Sequence, residues 1–245
     1  MSGHSKWANI KRKKGAADAQ KGKIFTKLGR EIQVAVREGG GPDPASNSKL
    51  KDIISKAKAA NMPNDNIQRS IKKAMGEGSA ENIEEIVYEG YGPGGIAVIV
   101  EVMTDNRNRT ASDVRHIFDK NGGNLGSSGC VSFMFDKKGL LIVANDGSRD
   151  EEEVMMDALD SGAEDFTSTE ETFEIMTAPT DFSAVRDALE EKGYVFETAE
   201  LSMIPQNYSK LEDEAQIAQM EKMLDMLDDN DDVMEVYHNW ETDDE

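Results

Sequence analysis

The stretch from Gly139 to Gly162, GLLIVANDGSRDEEEVMMDALDSG, changes from a strand pattern to a helix pattern. Leu140–Ala144 is a short apolar run typical of a strand. Asp150–Ser161 is typical of a helix, with Ser148 and Glu151 as its predicted capping box. The stretch therefore predicts the first strand and the first helix of an α/β unit.

The unit continues toward the C-terminus with three more predicted strands and a second helix. Ala163–Thr167 and Thr172–Thr177 predict a hairpin, Phe182–Lys192 a helix, and Phe196–Ile204 a last strand. The resulting order, β-α-β-β-α-β, is that of the ferredoxin-like unit. We therefore expect residues 137–205 to form a ferredoxin-like domain.

The preceding stretch shows a shorter version of this pattern. Ile83–Tyr91 and Ile96–Met103 predict two strands, and Val131–Phe135 predicts a third. A helix is predicted from Thr110 to Lys120, with Thr110 and Asp113 as its capping box. This β-β-α-β order lacks one helix and one strand.

Both missing elements are predicted after Pro205. A helical stripe is formed by Ile217, Met220, Leu224 and Leu227, and Val233–His238 then alternates like a strand. We therefore expect a discontinuous ferredoxin-like domain of residues 79–136 and 206–245, into which the 137–205 domain is inserted.

Three amphipathic helices are predicted near the N-terminus, about Lys23–Arg37, Asn47–Asn61 and Asp65–Met75. Short apolar stripes can bury one another only by packing together, so we expect a small bundle. Residues 1–20 are polar and basic and predict a flexible arm, which makes residues 1–78 a basic helical domain. The predicted fold class is α+β, with a three-helix bundle and two ferredoxin-like α/β domains.

Charge is divided unevenly along the chain. Residues 1–75 carry 17 Lys and Arg against 6 Asp and Glu, whereas residues 76–245 carry the other 11 basic and 42 acidic residues. Net charges of +11 and −31 therefore make up the total of −20. Basic residues placed near phosphates release condensed counterions and bind nucleic acid with little sequence specificity. The basic end thus predicts a nucleic-acid partner, either DNA or ribosomal RNA. The alternative is that it only offsets the acidic remainder or keeps the helices soluble.

Candidate nucleic-acid contacts lie in two segments. In the arm and the first helix they are Lys6, Trp7, Lys11, Arg12, Lys13, Lys14, Lys21, Lys23, Lys27 and Arg30. An indole in the arm can stack on an exposed base, worth about 1–3 kcal/mol in single-strand binders. The second segment, Asn106–Thr110, places Arg107 and Arg109 at a strand–helix junction, where they can hold a phosphate. A structural loop, whose asparagines accept turn geometry, is an equal alternative.

Patterns typical of catalysis or metal binding are missing from the sequence. His4, His116 and His238 do not have metal-ligand spacing, and the many carboxylates follow solvated helix faces. Gly90–Gly95 lacks the Gly-Lys-Ser/Thr ending of a phosphate loop and joins two predicted strands, so it predicts a hairpin turn. We expect a protein that is not an enzyme and has neither a metal nor a cofactor.

The cellular context follows from hydropathy and cysteine content. No apolar run approaches the roughly 20 residues of a membrane helix, so no membrane partner is expected. Cys130 is the single cysteine, which excludes an internal disulfide and fits a reducing compartment. The basic N-terminus is not followed by the apolar segment of a secretory signal. We expect a cytoplasmic protein whose oligomeric state the sequence leaves open.

Five segments resemble the signature segments of the YebC family. They are Gly3–Trp7 (GHSKW), Lys23–Lys27 (KIFTK), Tyr88–Gly95 (YEGYGPGG), Asp105–Thr110 (DNRNRT) and Gly122–Gly126 (GGNLG). The resemblance implies a three-domain α/β protein without enzymatic activity, whose nucleic-acid contacts lie in the basic N-terminal region. Family members are described as probable DNA-binding transcriptional regulators. Some relatives are instead translational activators at the ribosome, including on proline-rich stalls.

Three functions therefore stay open at the level of sequence. The first is a DNA-binding transcriptional regulator, and the second is a ribosome-associated translation factor. The third is an interaction module whose acidic domains bind a basic protein. The resemblance favours a role in gene expression, and the absence of a transit-peptide-like extension before Gly3 favours a bacterial cytoplasmic member.

Overall fold

The computed structural model describes residues 21–76 and 83–241, without the side chain of Lys21. The predicted arm, residues 1–20, lies outside the described residues, as do residues 77–82 and 242–245. The described residues form seven α-helices and two four-stranded antiparallel sheets, which is the predicted α+β class. Within these residues, every helix is too short or too polar to span a bilayer.

The chain divides into two compact units, here called the first and the second unit. The first lies within Lys14–Ser132 and Leu211–His238, and the second within Phe133–Lys210 and Asn239–Glu245. The predicted boundaries of the α/β domains, residues 79–136 with 206–245 and residues 137–205, stay predictions. The three-domain division, in which residues 1–78 form a domain of their own, stays a prediction.

Three helices open the first unit: α1 (Lys21–Glu38), α2 (Ser48–Ala59) and α3 (Asn64–Ala74). Their apolar stripes meet in one core that includes Leu28, Ile32, Leu50, Ile67 and Ile71. The turn after α1 is held by Asn47, whose side-chain amide donates to the carbonyls of Ala35 and Gly41, both at 2.8 Å. The same side chain accepts from the Leu50 N–H and so caps α2.

The first sheet has the strand order β3-β1-β2-β8. Its strands are β1 (Glu84–Tyr91), β2 (Ala97–Thr104), β3 (Asn124–Leu125) and β8 (Val233–His238), and its helices are α4 (Arg107–Lys120) and α7 (Glu214–Asp228). Residues 97–100 of the central strand β2 are fully buried. β2 pairs with β1 on one side and β8 on the other, so the C-terminal strand completes the sheet.

The second unit is ferredoxin-like, with strand order β5-β6-β4-β7 and all pairs antiparallel. Its elements are β4 (Phe135–Ala144), α5 (Glu151–Asp160), β5 (Asp165–Ser168), β6 (Thr172–Thr177), α6 (Phe182–Glu191) and β7 (Phe196–Pro205). Its core joins Leu141 and Ile175 of the sheet to Val154 and Leu189 of the helices. In the sequence it lies between β3 and α7, so it is inserted into the first unit.

One predicted strand is wrong. Val131–Phe135 is not the third strand, because Ser132–Met134 forms a 3-10 turn and the strand that pairs with β1 is Asn124–Leu125. The reason is that the N–H groups of Val131 and Ser132 donate to the carboxylate of Glu89. They are therefore not available to a strand ladder.

Two predicted helix caps are also wrong. α4 begins at Arg107 and is capped by Asn106, whose Oδ1 accepts from the Arg109 N–H; Thr110 lies inside the helix, where its hydroxyl donates to Asp232. α5 is capped by Asp150 rather than Ser148; its Oδ1 accepts from two backbone N–H groups of the first turn. In each case a side chain immediately before the helix caps it.

Candidate nucleic-acid interface

A buried carboxylate, Asp232, connects three elements of the first unit. It lies directly before β8 and is only 4% exposed. Its Oδ1 accepts from Arg30 Nη1 of α1 at 2.9 Å. Its Oδ2 accepts from Arg109 Nη2 at 2.8 Å and from Thr110 Oγ1 at 2.7 Å, both at the start of α4. Two of the predicted nucleic-acid contacts, Arg30 and Arg109, are thus paired with one carboxylate inside the protein.

The electrostatics of this cluster favour its charged form. Burial by itself would raise the pKa of Asp232, but hydrogen bonds from Arg109 and Thr110 and the charges of Arg109 and Arg30 outweigh it and lower the pKa. Hydrogen bonds to Asp232 and Asp105 raise the pKa of Arg109. The cluster is therefore an ion pair at neutral pH.

The remaining basic side chains along this side of α1 contact the end of α7. Lys23 Nζ lies 3.1 Å from both the carbonyl oxygen and Oδ1 of Asp229, and Lys27 Nζ lies 3.1 Å from the carbonyl oxygen of Asp228. A helix C-terminus has unpaired carbonyls and a negative partial charge, so cations there are stabilising. Spacings of four and three residues place Lys23, Lys27 and Arg30 along one side of α1. They face residues 228–232, here called the acidic segment.

These contacts divide the predicted nucleic-acid residues into groups. Lys6, Trp7 and Lys11–Lys14 lie outside the described residues, as does the side chain of Lys21. Lys23, Lys27, Arg30 and Arg109 have partners inside the first unit. Their contact with nucleic acid stays a prediction, and their observed role is to hold α1 and α4 on the acidic segment.

Other positive charges remain at the surface. Arg107, in the first turn of α4, is exposed, and the described part of the chain offers it no salt bridge. Lys58 of α2 and Arg69 and Lys72 of α3 are likewise exposed and have no salt-bridge partner among residues 21–76 and 83–241. By contrast, Lys49 pairs with acidic residues at 3.1 and 3.5 Å. Cations without salt-bridge partners are the ones available to a phosphate backbone.

The Asn106–Thr110 segment combines the two alternatives that the sequence offers. Asn106 caps α4 and Arg109 binds Asp232, which are structural roles. Arg107 is exposed. Burial raises the pKa of the Tyr88 phenol, and the nearby positive charge of Arg107 offsets part of this rise. Arg107 is therefore the residue of this segment that is available to a ligand.

A second buried carboxylate, Glu89 of β1, organises the loop between β3 and β4. It is 5% exposed, and it accepts from the N–H groups of Gly129 at 2.7 Å, Val131 at 2.9 Å and Ser132 at 2.8 Å. Burial by itself would raise the pKa of Glu89, but these three hydrogen bonds lower it. No sequence pattern predicts this role; the available signal is a carboxylate placed between Tyr88 and Gly90 in the second half of β1.

We expect Glu89→Gln to destabilise the protein by about 2 kcal/mol, because an amide NH₂ would face backbone N–H groups where a carboxylate accepted. Urea unfolding measures this change, and alkylation of Cys130, which follows Gly129 in the same loop, should become faster. Glu84→Gln on the same strand is the control, since Glu84 is exposed; its change should stay within about 0.5 kcal/mol. Equal effects of the two variants would show that Glu89 does not hold the loop.

The glycine-rich segments have structural roles in the first sheet. β1 and β2 are joined by a turn at Pro93–Gly95, which confirms the predicted hairpin. A Cβ at Gly90 would lie 2.5 Å from the carbonyl oxygen of Asn124, and one at Gly123 would lie 2.7 Å from that of Tyr91. Glycine at these positions lets β1 and β3 approach each other closely.

Two observations concern candidate metal ligands and the single cysteine. Residues 21–76 and 83–241 contain no cluster of three or more His, Cys, Asp or Glu side chains that could hold a metal ion. Cys130 is half-buried, and burial, followed by the charge of Glu89, raises the pKa of its thiol. A raised pKa disfavours the reactive thiolate.

The fold and the site define an α+β protein with exposed cations on two small helices and at the N-terminus of a third, among them Lys58, Arg69, Lys72 and Arg107. This chain belongs to the TACO1/YebC family. A model of the TACO1/YebC N-terminal domain matches residues 5–77, and a model of the second and third domains matches residues 83–240. The family that the five sequence segments resemble is thereby confirmed.

Similar proteins span nearly the whole chain. A protein of Acetivibrio thermocellus is 64% identical over 240 residues, which are 98% of this chain and 99% of that protein. A protein of Ruminiclostridium cellulolyticum is 66% identical over 245 residues, covering 100% of this chain and 98% of the relative. Both carry the name probable transcriptional regulatory protein. The crystal structure of a conserved hypothetical protein from Aquifex aeolicus is 47% identical with a TM-score of 0.84, over 94% of this chain and 93% of that one.

Proposed function

We propose that this protein is a non-enzymatic, nucleic-acid-binding regulator of gene expression, and in the first place a DNA-binding transcriptional regulator of the cytoplasm. The observation that carries the proposal is the separation of charge, +11 in residues 1–75 against −31 in the remainder. Phosphates repel the acidic part as a whole, so we expect docking at the basic end and at cations exposed next to it. The names of the relatives agree with this role.

The proposed contact surface consists of the basic arm, the exposed cations of the helices and the start of α4. The arm contributes Lys6, Trp7 and Lys11–Lys14, and the described residues contribute Lys58, Arg69, Lys72 and Arg107. Lys23 is a lesser contributor, because a phosphate would have to displace Asp229 from it. Contacts of this kind read the phosphate backbone rather than a base sequence.

A ribosome-associated translation factor is the second candidate. It is supported by the indole of Trp7 within the basic arm, because proteins recognise RNA largely through unpaired bases that stack on aromatic side chains. Ribosomal RNA offers such bases in loops, whereas duplex DNA keeps its bases stacked. In this role the protein would act on translating ribosomes, for example at proline-rich stalls.

A competition titration at near-physiological salt distinguishes the two roles. Labelled full-length protein is offered intact ribosomes together with an excess of random-sequence duplex DNA, and a variant lacking residues 1–20 is the control. If the protein is a transcriptional regulator, excess duplex should displace it from ribosomes. If it is a translation factor, it should stay on ribosomes. In both cases the shortened variant should bind weakly.

Two results would contradict the proposal itself. One is binding to neither nucleic acid nor ribosomes at low salt, where electrostatic affinity is greatest. The other is full binding by the variant that lacks residues 1–20 together with an unchanged salt dependence. Either result would remove the basic end from function and favour an interaction module.

A further inference from the structure

An apolar patch lies on the outward face of α5 in the second unit. Met155, Met156 and Leu159 are 38, 62 and 50% exposed. They are three of the nine large hydrophobic side chains that are exposed in the described part of the chain, and they fall within five consecutive residues. Spacings of three and four residues make them neighbours on the helix surface. Single exposed apolar residues are ordinary, whereas large contiguous apolar patches mark interaction surfaces.

The patch is not needed to hold α5 in place. The opposite face of the helix contributes Val154 and Ala158, both fully buried, to the core of the second unit. At the side of the helix, Asp157 binds Lys192 Nζ at 2.7 Å and the hydroxyl of Tyr194 at 2.8 Å. The three exposed side chains are therefore surplus to the packing of the fold.

Carboxylates surround this patch. Glu152 lies one turn before both methionines, and Asp160 lies one turn after Met156; both are exposed. α5 contains five acidic residues and no Lys or Arg. The surface thus combines apolar contact area, including flexible methionines that adapt to different partners, with a negative rim.

We propose that the α5 surface, defined as Met155, Met156, Leu159, Glu152 and Asp160, binds a basic amphipathic helix of another protein. Apolar side chains of the partner cover the two methionines and the leucine, and its Lys or Arg residues pair with the rim. Nucleic acid is excluded as the occupant because its phosphates meet carboxylates of the same sign. The α5 of a second copy is excluded for the same reason. This interaction does not depend on nucleic-acid binding at the basic end.

A designed peptide tests the charge and shape of the partner. The probe is a labelled amphipathic helix of about 14 residues, or four turns, with leucines on one face and lysines on the other. Its controls are a peptide with glutamates in place of the lysines and a scrambled peptide of the same composition. Binding to the full-length protein is followed by fluorescence anisotropy at low and at physiological salt. Only the leucine–lysine helix should bind.

Variants of the protein locate the binding site. Met155→Gln/Met156→Gln/Leu159→Gln should weaken peptide binding by about tenfold or more, because apolar anchors carry most interface energy. Glu152→Gln/Asp160→Asn should weaken it about two- to fivefold at low salt and less at high salt. Glu170→Gln/Glu190→Gln removes two exposed carboxylates elsewhere in the second unit and should leave binding unchanged. All the substituted side chains are exposed, and a thermal melt verifies that each variant is folded.

The proposal is overturned by any of three results. The first is equal affinity of the wild type and the triple glutamine variant. The second is an equal loss in Glu170→Gln/Glu190→Gln, which would make the attraction one of net charge only. The third is self-association of the wild type, seen by sedimentation and abolished in the triple variant, which would make a second copy the occupant. Binding of duplex DNA by the basic end should be the same in every variant. A failure of the proposed function is therefore measured separately from a failure of this proposal.

Discussion

Asp232→Ala should lower the free energy of unfolding of the first unit by about 3 kcal/mol. The carboxylate is 4% exposed and accepts hydrogen bonds from Arg30, Arg109 and Thr110. Removing it leaves two guanidinium groups close together and deletes the shortest hydrogen bond of the buried Thr110 hydroxyl. The loss of one member of a buried ion cluster typically costs several kcal/mol. Urea unfolding by circular dichroism measures the total. Hydrogen exchange of peptides from α1 and α4 shows whether the stability is lost at these two helices.

The matched control is Asp229→Ala, three residues earlier in the same acidic segment. Asp229 also pairs with a basic residue of α1, Lys23, but its side chain is 62% exposed. Exposed ion pairs contribute about 0–1 kcal/mol, so this variant should be close to wild type. A similar loss for the two variants, or a loss below about 1 kcal/mol for Asp232→Ala, would rule out the cluster as a stabilising contact.

The cluster also predicts a pH dependence. The pKa of Asp232 lies below its ordinary value of 3.8, so the unfolded chain takes up this proton at a higher pH than the folded protein does. The stabilisation is fully present above the unfolded value and is lost as the pH falls through the folded one. The stability difference between wild type and Asp232→Asn should therefore be constant between about pH 6 and 8 and shrink below about pH 4.

Replacing Lys11, Arg12, Lys13 and Lys14 together with alanine should weaken duplex binding by at least about tenfold at low salt. Each lost phosphate contact reduces the slope of log affinity against log salt by about 0.9. The slope should therefore decrease by the amount that corresponds to up to about four phosphate contacts. Anisotropy titrations with a random-sequence duplex at four or more salt concentrations measure both quantities. The wild type should show the steeper salt dependence.

Four exposed basic residues from the acidic part of the chain provide the control: Arg115, Lys120, Lys137 and Lys222. Their replacement by alanine changes the net charge by the same amount as the arm variant does. If position matters, these substitutions should leave the salt slope close to that of the wild type. Equal slopes in the two variants would mean that net charge alone governs binding, and the arm would lose its proposed role.

Local patterns predicted the elements of the second unit closely. Thr172–Thr177 is a strand with the predicted bounds, and the helix predicted from Phe182 to Lys192 spans Phe182–Glu191. These predictions succeed because periodicity and stop signals act within a few residues of each other. The predicted helix caps were wrong at α4 and α5, because several neighbouring polar side chains can accept from the first N–H groups of a helix. At α4 the helix begins three residues before Thr110, so Asn106 is the side chain that caps it.

The candidate site could be predicted only in part. The sequence located the basic residues, but not which of them have partners in the fold. Lys23 and Asp229 are 206 positions apart, and Arg30 and Asp232 are 202 apart, yet each pair is in contact. Glu89 likewise holds a loop about 40 positions away. No local pattern encodes such pairs.

By itself, the sequence determined the α+β class, the order of most helices and strands, the uneven distribution of charge and the resemblance to a family. Each of these depends on residue types and short spacings, which are fixed before the chain folds. The tertiary structure decided which charges are available. It placed Lys23, Lys27 and Arg30 of α1 against the acidic segment before β8 and left Arg107 at the surface. Whether a charge has a partner depends on distances of a few ångströms between residues far apart in sequence, and only the folded chain sets those distances.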